Sequence, residues 1–386
     1  MKTISQFDYI IVGGGLSGLH LSYSFQNDNY FKNHKILVID NFKSKKENNF
    51  FSFWEKGKGN WDSILKSKWR SGKFFSNYGN VNMDFSNYNY KTLNSLDFFK
   101  FVRKKLEKKK QIKLIKDNIL KIREDNEKVV VVGNKKNYYG KHVFDSRPNK
   151  KFIREFNNYT TLKQHFLGWI IKTKEKKINK KSFVFMDYRI KDKSSTAFTY
   201  VLPFKKNKAL IEHTYFSKNE CEKNVYEKYL MEYIEKFLKI SDYEIIESES
   251  GVIPMTSYPF YKDSSKKITK IGSAGGWIKP STGYSFYNCE KYSLKILKNI
   301  KKGKSLTINQ KKKYMFLDKI LLGVLSQFNH KGDMIFYKML NKNKTDRILR
   351  FLNEESSNID DLKIIFSLRS IDFVKVFIQS LYKKIL

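Results

Sequence analysis

Two periods of apolar and polar positions divide this chain. Phe7-Asp8-Tyr9-Ile10-Ile11-Val12 is a nearly unbroken apolar run, the pattern of a strand covered on both faces in a parallel sheet. Glycines between 13 and 18, a helical stretch over Leu19–Asn27 and a second apolar run over Lys35–Asp40 complete a βαβ unit. Val129–Val132 and His142–Phe144 read as further strands, and Pro148 stops the second pattern. Residues 44 to 127 are lysine- and aromatic-rich, with a loop predicted over Asn77–Asn94 and a helix over Ser95–Lys108.

Strand patterns return over residues 164 to 216. They predict a strand at Phe183–Arg189 and a hairpin pairing Ala197–Phe204 with Ala209–Phe216 around the turn Lys205–Lys208. Glu220–Leu238 reads as a helix, Ile268–Gly272 as a return to the first sheet, and Gly283 onward as another helix. Residues 306 to 386 read as helical. Their last stretch, Phe373–Leu381, is either a helix packed on the core or an amphipathic helix lying on a membrane.

At 386 residues the chain exceeds one ordinary core. The order of elements predicts an α/β fold in which a discontinuous nucleotide-binding domain (1–45, 110–160 and 265–300) carries an interleaved antiparallel-sheet substrate domain (46–109 and 161–264). A helical C-terminal region (301–386) follows.

Charge changes this picture only in part. The formal charge is +38, but of 76 basic residues nine are arginine, and the lysines are spread from end to end. Nucleic-acid readers favour arginine forks, and no basic helix–turn–helix, zinc knuckle or arginine-rich arm is visible, so nucleic acid is not expected as a partner. A lysine surface is attracted to acidic headgroups, which predicts peripheral membrane contact. Cys221 and Cys289 cannot form a CxxC motif; both read as free thiols in a cytoplasmic protein, and no metal site is expected. The run Tyr9–Val12 is too short for a signal h-region, and no apolar stretch of about 20 residues, the length of a membrane span, occurs.

Candidate chemistry starts with Gly13, Gly15 and Gly18, a GxGxxG turn, and with Asp40, 22 residues after Gly18. The glycines serve the tight turn, close approach of backbone to a pyrophosphate and helix–strand packing, and the carboxylate suits ribose hydroxyls. Ile271–Phe286 is a second glycine-rich segment. One segment indicates a nucleotide, and the pair indicates FAD.

Several segments together resemble the bacterial lycopene β-cyclase family of carotenoid-biosynthetic flavoproteins. They are Gly13–Gly18, Phe51–Trp54, Asp145–Pro148, Gln164–Trp169, Met186–Arg189, Phe198–Phe204, Ile211–Thr214, Gly251–Met255 and Ile271–Phe286. The resemblance covers most of residues 7 to 290. Phe-Leu-Gly-Trp at 166–169, Met-Asp-Tyr-Arg at 186–189, Tyr-Val-Leu-Pro-Phe at 200–204 and Lys-Pro-Ser-Thr-Gly-Tyr at 279–284 are its most specific parts. Where the family usually has Trp-Ser-Phe-His, this chain reads Phe51-Ser52-Phe53-Trp54, without the histidine.

The resemblance implies an FAD-binding, Rossmann-like domain of the glutathione-reductase type. It implies FAD that works in its reduced form, NAD(P)H as reductant, and lycopene as substrate. Gly272, Ser273, Gly275, Gly276, Pro280, Thr282 and Gly283 are expected along the ribityl chain and flavin ring, with Ser273 standing where many FAD enzymes have aspartate. The backbone after Pro280 is expected to present N–H groups at a helix N-terminus, where they favour an anionic ring. The implied reaction is a non-redox cyclisation of lycopene ends to β-ionone rings, giving γ-carotene and then β-carotene.

Glu212 is the expected proton donor. It aligns with the family's acid, and its strand reads Leu210, Thr214 and Phe216 on the same face, neighbours that keep a carboxyl protonated. The alternative is a strand carboxylate paired with a lysine. His213 points the other way on a regular strand. Trp169, Tyr200, Tyr215, Trp277 and Tyr284 are candidates for a substrate tunnel that stabilises a cation, or else for core packing. Asp145 and Arg147 either meet FAD phosphates or lock an interface, and Asp187 with Arg189 reads as a structural ion pair. The rival readings are an FAD and NAD(P)H-dependent monooxygenase, halogenase or polyprenyl reductase acting on a lipophilic substrate, and a basic membrane scaffold with vestigial nucleotide binding.

Overall fold

A computed structural model describes residues 6–42, 49–125, 127–148, 150–155, 158–192 and 195–382. In chain order it starts with β1 (Gln6–Val12), α1 (Leu16–Asn27) and β2 (Ile36–Asp40). Then come β3 (Phe50–Glu55), β4 (Leu65–Trp69), β5 (Ser71–Ser76), β6 (Gly79–Asp84), β7 (Asn89–Asn94) and α2 (Ser95–Leu106). β8 (Ile112–Lys116), β9 (Ile119–Glu124), β10 (Val129–Gly133), β11 (Asn137–Asp145) and α3 (Lys150–Glu155) follow. Next are β12 (Thr161–Thr173), β13 (Phe183–Asp187), β14 (Thr196–Lys205), β15 (Lys208–Ser217), α4 (Lys223–Lys236) and β16 (Tyr243–Thr256). β17 (Ile268–Lys270) and α5 (Phe286–Lys301) lead into α6 (Lys312–Gln327), α7 (Gly332–Lys342), α8 (Thr345–Leu352), α9 (Asn358–Ser367) and α10 (Ile371–Tyr382).

The first sheet has a parallel core, β8-β2-β1-β11-β17, extended from β11 by the antiparallel strands β10 and β9. Its two faces separate by period two. Ile11, Val38 and Phe144 meet Leu19 and Phe25 of α1, whereas Ile10, Leu37, Ile39 and Val143 meet Val129, Val131 and Tyr138 of the meander. Both faces are covered, which is why β1 reads as a continuous apolar run.

The second sheet, β16-β12-β15-β14-β13-β5-β6, places α4 on one face and the C-terminal helices on the other. The third is β3-β7-β4. The hairpin of β14 and β15 turns at Lys206-Asn207, as expected.

Two expectations change. The loop predicted over Asn77–Asn94 is instead β6 and the buried strand β7. Its polar residues suggest a loop because their partners are distant. The fully buried Lys91 meets Glu55 at 2.7 Å, the Gly57 carbonyl at 3.0 Å and Asp62, and Asn94 caps α2. The helix expected from Gly283 starts at Phe286, after a turn in which the Gly283 N–H donates to the Lys279 carbonyl.

A buried ion cluster ties this turn to the C-terminal helices. The Lys279 ammonium lies 2.9 Å from Asp318 of α6 and 3.2 Å from Glu354 after α8. Burial alone would lower the lysine's pKa, but attraction to the two carboxylates leaves it raised. Lys279→Met strands two buried carboxylates, so thermal or denaturant unfolding should show a loss of about 3–5 kcal/mol. An unchanged midpoint would mean that the cluster is not a structural tie.

Candidate active site

A cavity of about 330 Å³ opens where the second sheet, the third sheet and the 278–286 segment meet. Period two on β15 decides what faces it. Leu210 and Glu212 reach the cavity, whereas Ile211 and Tyr215 pack against Tyr226, Leu230 and Tyr233 of α4. The same alternation along β12 sends Gln164 and Phe166 inward and Leu167 and Trp169 to the α4 side. Tyr200 of β14, Tyr90 of β7 and Tyr284 complete an aromatic wall, with the Tyr90 and Tyr284 hydroxyls 3.2 Å apart.

Glu212 is enclosed by protein and keeps partial access only to the cavity it faces. Thr214 Oγ1 donates to Glu212 Oε1 at 2.7 Å. Burial raises its carboxyl above the ordinary range. Glu249 on β16 also lines the cavity and hydrogen-bonds Glu212, and burial followed by the neighbouring Glu212 raises it further. Burial likewise keeps Tyr90, Tyr200 and Tyr284 in the phenol form. Among the described lining residues none is lysine or arginine.

The structure sorts the other candidates. Of the expected tunnel residues, Tyr200 and Tyr284 line the cavity. Trp169, His213 and Tyr215 lie on the α4 side of the sheet, and Trp277 packs with Ile11, Leu19 and Phe286. His213 Nδ1 pairs with Thr199 Oγ1 at 3.0 Å, and burial pushes its pKa down to about 3. A neutral imidazole facing away from the cavity offers it no proton.

Asp145 accepts from Arg147 at 2.8 and 3.1 Å and from Lys270 at 2.8 Å, and Arg147 also reaches the Ile119 carbonyl. These contacts fasten β11, β17 and β9 together within the first sheet, and they occupy both carboxylate oxygens of Asp145. Asp187 takes bonds from Arg189 and from Tyr233, and the guanidinium sits between the Phe75 and Phe237 rings, a structural pair as expected.

The two glycine segments touch. A side chain on Gly18 would strike the Gly13 carbonyl, and Gly272, at φ +64°, comes so close to Ser17 of α1 that a Cβ would collide with its hydroxyl. Gly15 faces open space, and no side chain caps α1 there. Asp40 accepts the Gly14 and Phe42 N–H groups, holding the turn. Thr282 and Gly283 lie in the main cavity wall, while Ser273, Gly275, Gly276 and Pro280 line a second, smaller cavity on another side of the same segment. Thr282 Oγ1 and Trp277 Nε1 are buried without a protein partner. An uncapped helix N-terminus, open space over Gly15 and unpartnered polar atoms fit a dinucleotide cofactor.

Glu249 and Tyr90 are not among the residues that the sequence singles out, and Gln164 enters there only as the start of the Gln164–Trp169 segment. Glu249 shares its strand with Glu244 and Glu247 in a largely exposed pattern, which hides its one buried position. The usable signal was Gly168, since a glycine inside a strand marks close approach of another group.

The chain matches a family described as "Lycopene cyclase protein" over residues 8–377. No curated protein matches it. Solved structures similar to it include a geranylgeranyl bacteriochlorophyll reductase-like protein from Thermoplasma acidophilum, 14% identical, covering 97% of this chain and 98% of that one with a TM-score of 0.59. The flavin-dependent brominase Bmp2 is 12% identical over 90% of this chain and 93% of that one, TM-score 0.60. A variant of the halogenase PltM, solved in complex with FAD, is 13% identical over 97% and 90%, TM-score 0.57. The fold is therefore the FAD-binding, Rossmann-like fold of these flavoproteins.

A Cβ added at Gly15 meets no atom of the surrounding protein within 4 Å, which leaves open space for a small side chain. Gly15→Val should therefore leave the unfolding midpoint of cofactor-free protein unchanged and abolish copurifying yellow flavin absorbance. Full flavin retention would place the pyrophosphate elsewhere.

Proposed function

This chain belongs to the lycopene cyclase family, and from that premise we propose that it is an FAD-dependent enzyme that cyclises the ends of lycopene to β-ionone rings without net redox change. The observation that carries this reading is a buried, proton-retaining Glu212 facing an aromatic cavity whose described lining has no lysine or arginine. The cavity has the volume of a small-molecule site and takes one end of a long polyene at a time.

Glu212 gives its proton to the terminal alkene. The tertiary cation is captured by an internal double bond, and a ring proton is then lost. Tyr200, Tyr90 and Tyr284 line the cavity in which the cation forms, where aromatic rings favour positive charge, and the apolar lining disfavours water that would trap it. Gly13, Gly15, Gly18, Asp40 and the 272–283 segment are the residues that would hold FAD. Reduced FAD, with NAD(P)H as reductant, would supply a negative charge beside the cation, about 4 kcal/mol at ~4 Å for an effective dielectric near 20.

Glu212→Gln should keep its flavin and lose ring formation by about 10²–10⁴-fold, the usual range for general-acid catalysis. Pigment analysis in a lycopene-accumulating bacterium measures it, and wild-type ring formation in the variant would discard Glu212 as the acid. Because the Glu212 pKa is raised, the active acid persists at pH values where ordinary carboxyls are ionised, and activity falls as pH rises through the raised value. Stoichiometric NAD(P)H consumption per product would instead favour the monooxygenase, halogenase or reductase readings.

The substrate is a hydrocarbon that resides in membranes, and no helix among the described residues is long and apolar enough to cross one. α10 turns Val376 inward against Gly323 but exposes Ile371 (86%), Val374, Phe377, Ile378 and Leu381. α9 exposes Ile359, Leu362 and Phe366 (65%), and Lys363, Arg369 and Lys375 are exposed beside them. This apolar surface with basic neighbours suits an anionic lipid surface. The triple variant Phe366→Ser, Ile371→Ser, Phe377→Ser should keep flavin and sediment several-fold less with phosphatidylglycerol liposomes. Undiminished sedimentation, or an apolar surface consumed by dimerisation in solution, would overturn the assignment.

A further inference from the structure

Glu249 lies two residues before the Gly251–Met255 segment and outside both glycine segments. Its position is set by register. β12 runs between β15 and β16, and Gly168 is the partner of Glu212 on one side and of Glu249 on the other. Two strand spacings separate the two glutamate backbones by roughly 10 Å. The absent side chain at Gly168 leaves the space in which they meet. A Cβ there would lie 3.1 Å from Glu249 Cγ and 3.3 Å from its Oε1, so Glu249 lies across the glycine.

Each carboxyl is also held from outside. The Phe50 N–H donates to Glu249 Oε2 at 2.9 Å, and Thr214 Oγ1 donates to Glu212 Oε1 at 2.7 Å. The titratable groups around the pair are Tyr200, the cross-strand partner of Glu212 on β14, Tyr90 and Tyr284 in the cavity wall, and Glu247 on Glu249's own strand. No cation among the described lining residues neutralises a second negative charge.

We propose that Glu212 and Glu249 act as a carboxyl pair, with Glu249 a positioning residue whose O–H donates to Glu212 and solvates the carboxylate that Glu212 becomes. The proposal rests on Glu212 being the acid. Burial makes Glu212 hold its proton, and the hydrogen bond from Glu249 partly offsets that effect, so that the proton can be released. In the step itself the Glu212 O–H bond breaks and a C–H bond forms at the terminal alkene. The new carboxylate is held by the Glu249 O–H. When the ring C–H bond breaks, its proton returns to the pair, which is restored with no electron gained or lost and no other reactant needed. The pair titrates as a unit, and the doubly protonated form is the active one.

The test compares Glu249→Gln with Glu249→Leu in flavin-loaded protein acting on lycopene in liposomes, with Glu212→Gln alongside. Glutamine keeps a donor for Glu212 and should retain most activity, with the alkaline limb of the pH–rate profile near its wild-type position. Leucine removes the donor. Turnover should fall about 10- to 100-fold, the worth of a hydrogen bond to a charged group, and the limb should move to higher pH by about one unit. Infrared spectra at neutral pH should show two protonated-carboxyl bands in the wild type and one in Glu249→Gln. Equal losses in the Gln and Leu variants, an unmoved limb in Glu249→Leu, or no band lost in Glu249→Gln would each overturn the pair. If Glu212→Gln stays active, it is the acid assignment that falls. If the Leu variant fails to fold, retained activity in Glu249→Gln and the lost band carry the decision.

Discussion

Under the proposed cyclisation, the Glu212 carboxyl holds its proton until an alkene arrives and then sits beside a carbocation, so it cannot share its cavity with a basic side chain. A cation within ~4–6 Å would ionise it beforehand and repel the charge it is meant to create. In a chain carrying 76 lysines and arginines this constraint shapes everything near Glu212. Tyr90 faces the cavity while its neighbour Lys91 points away, its ammonium held by Glu55, Asp62 and the Gly57 carbonyl. Three residues before Thr282, Lys279 is directed into Asp318 and Glu354. Each buried lysine close to the cavity in sequence is enclosed by carboxylates on the far side of its backbone. The carboxylates that neutralise these lysines are thereby kept from Glu212 as well.

What the sequence made legible follows from local rules. The βαβ unit, the β14–β15 hairpin and the inward side of Glu212 depend on period and turn chemistry within one or two elements, and the structure has all three. Tyr215 was decidable on the same grounds, being in phase with His213 and out of phase with Glu212. Trp169 was not, because its side depends on the pairing of Gly168 with Glu212; the glycine marks a close approach but does not say which strand supplies it. The strand β7 was illegible for a different reason. Asn89-Tyr90-Lys91-Thr92-Leu93-Asn94 has the polarity of a loop and becomes a buried strand because Asn89, Lys91 and Thr92 find partners far away in sequence, at Arg70, Glu55 and Ser52, while Asn94 caps the helix that follows. Glu249 combines both difficulties, an unannounced register and a polar group whose partner lies across another strand.

The third sheet links the carboxyl pair to the segment that would hold the flavin. β3 sends the Phe50 N–H to Glu249, while three positions further along the same strand stands Phe53, whose ring stacks on Phe286 at 4.4 Å at the first turn of α5. Phe50 itself stacks on Phe204 at the end of β14. One short strand therefore touches the pair, the substrate sheet and the helix that follows the glycine segment. Its backbone hydrogen bond fixes an oxygen of Glu249, and its rings fix the distance from that oxygen to α5. The distance from Glu249 to the start of α5 is then set by packing within β3 and α5, which close-packed rings hold more tightly than a loop could. Consistent with that placement, Phe53 of β3 is buried in one core and Trp54 in the other, although the strand belongs to neither large sheet.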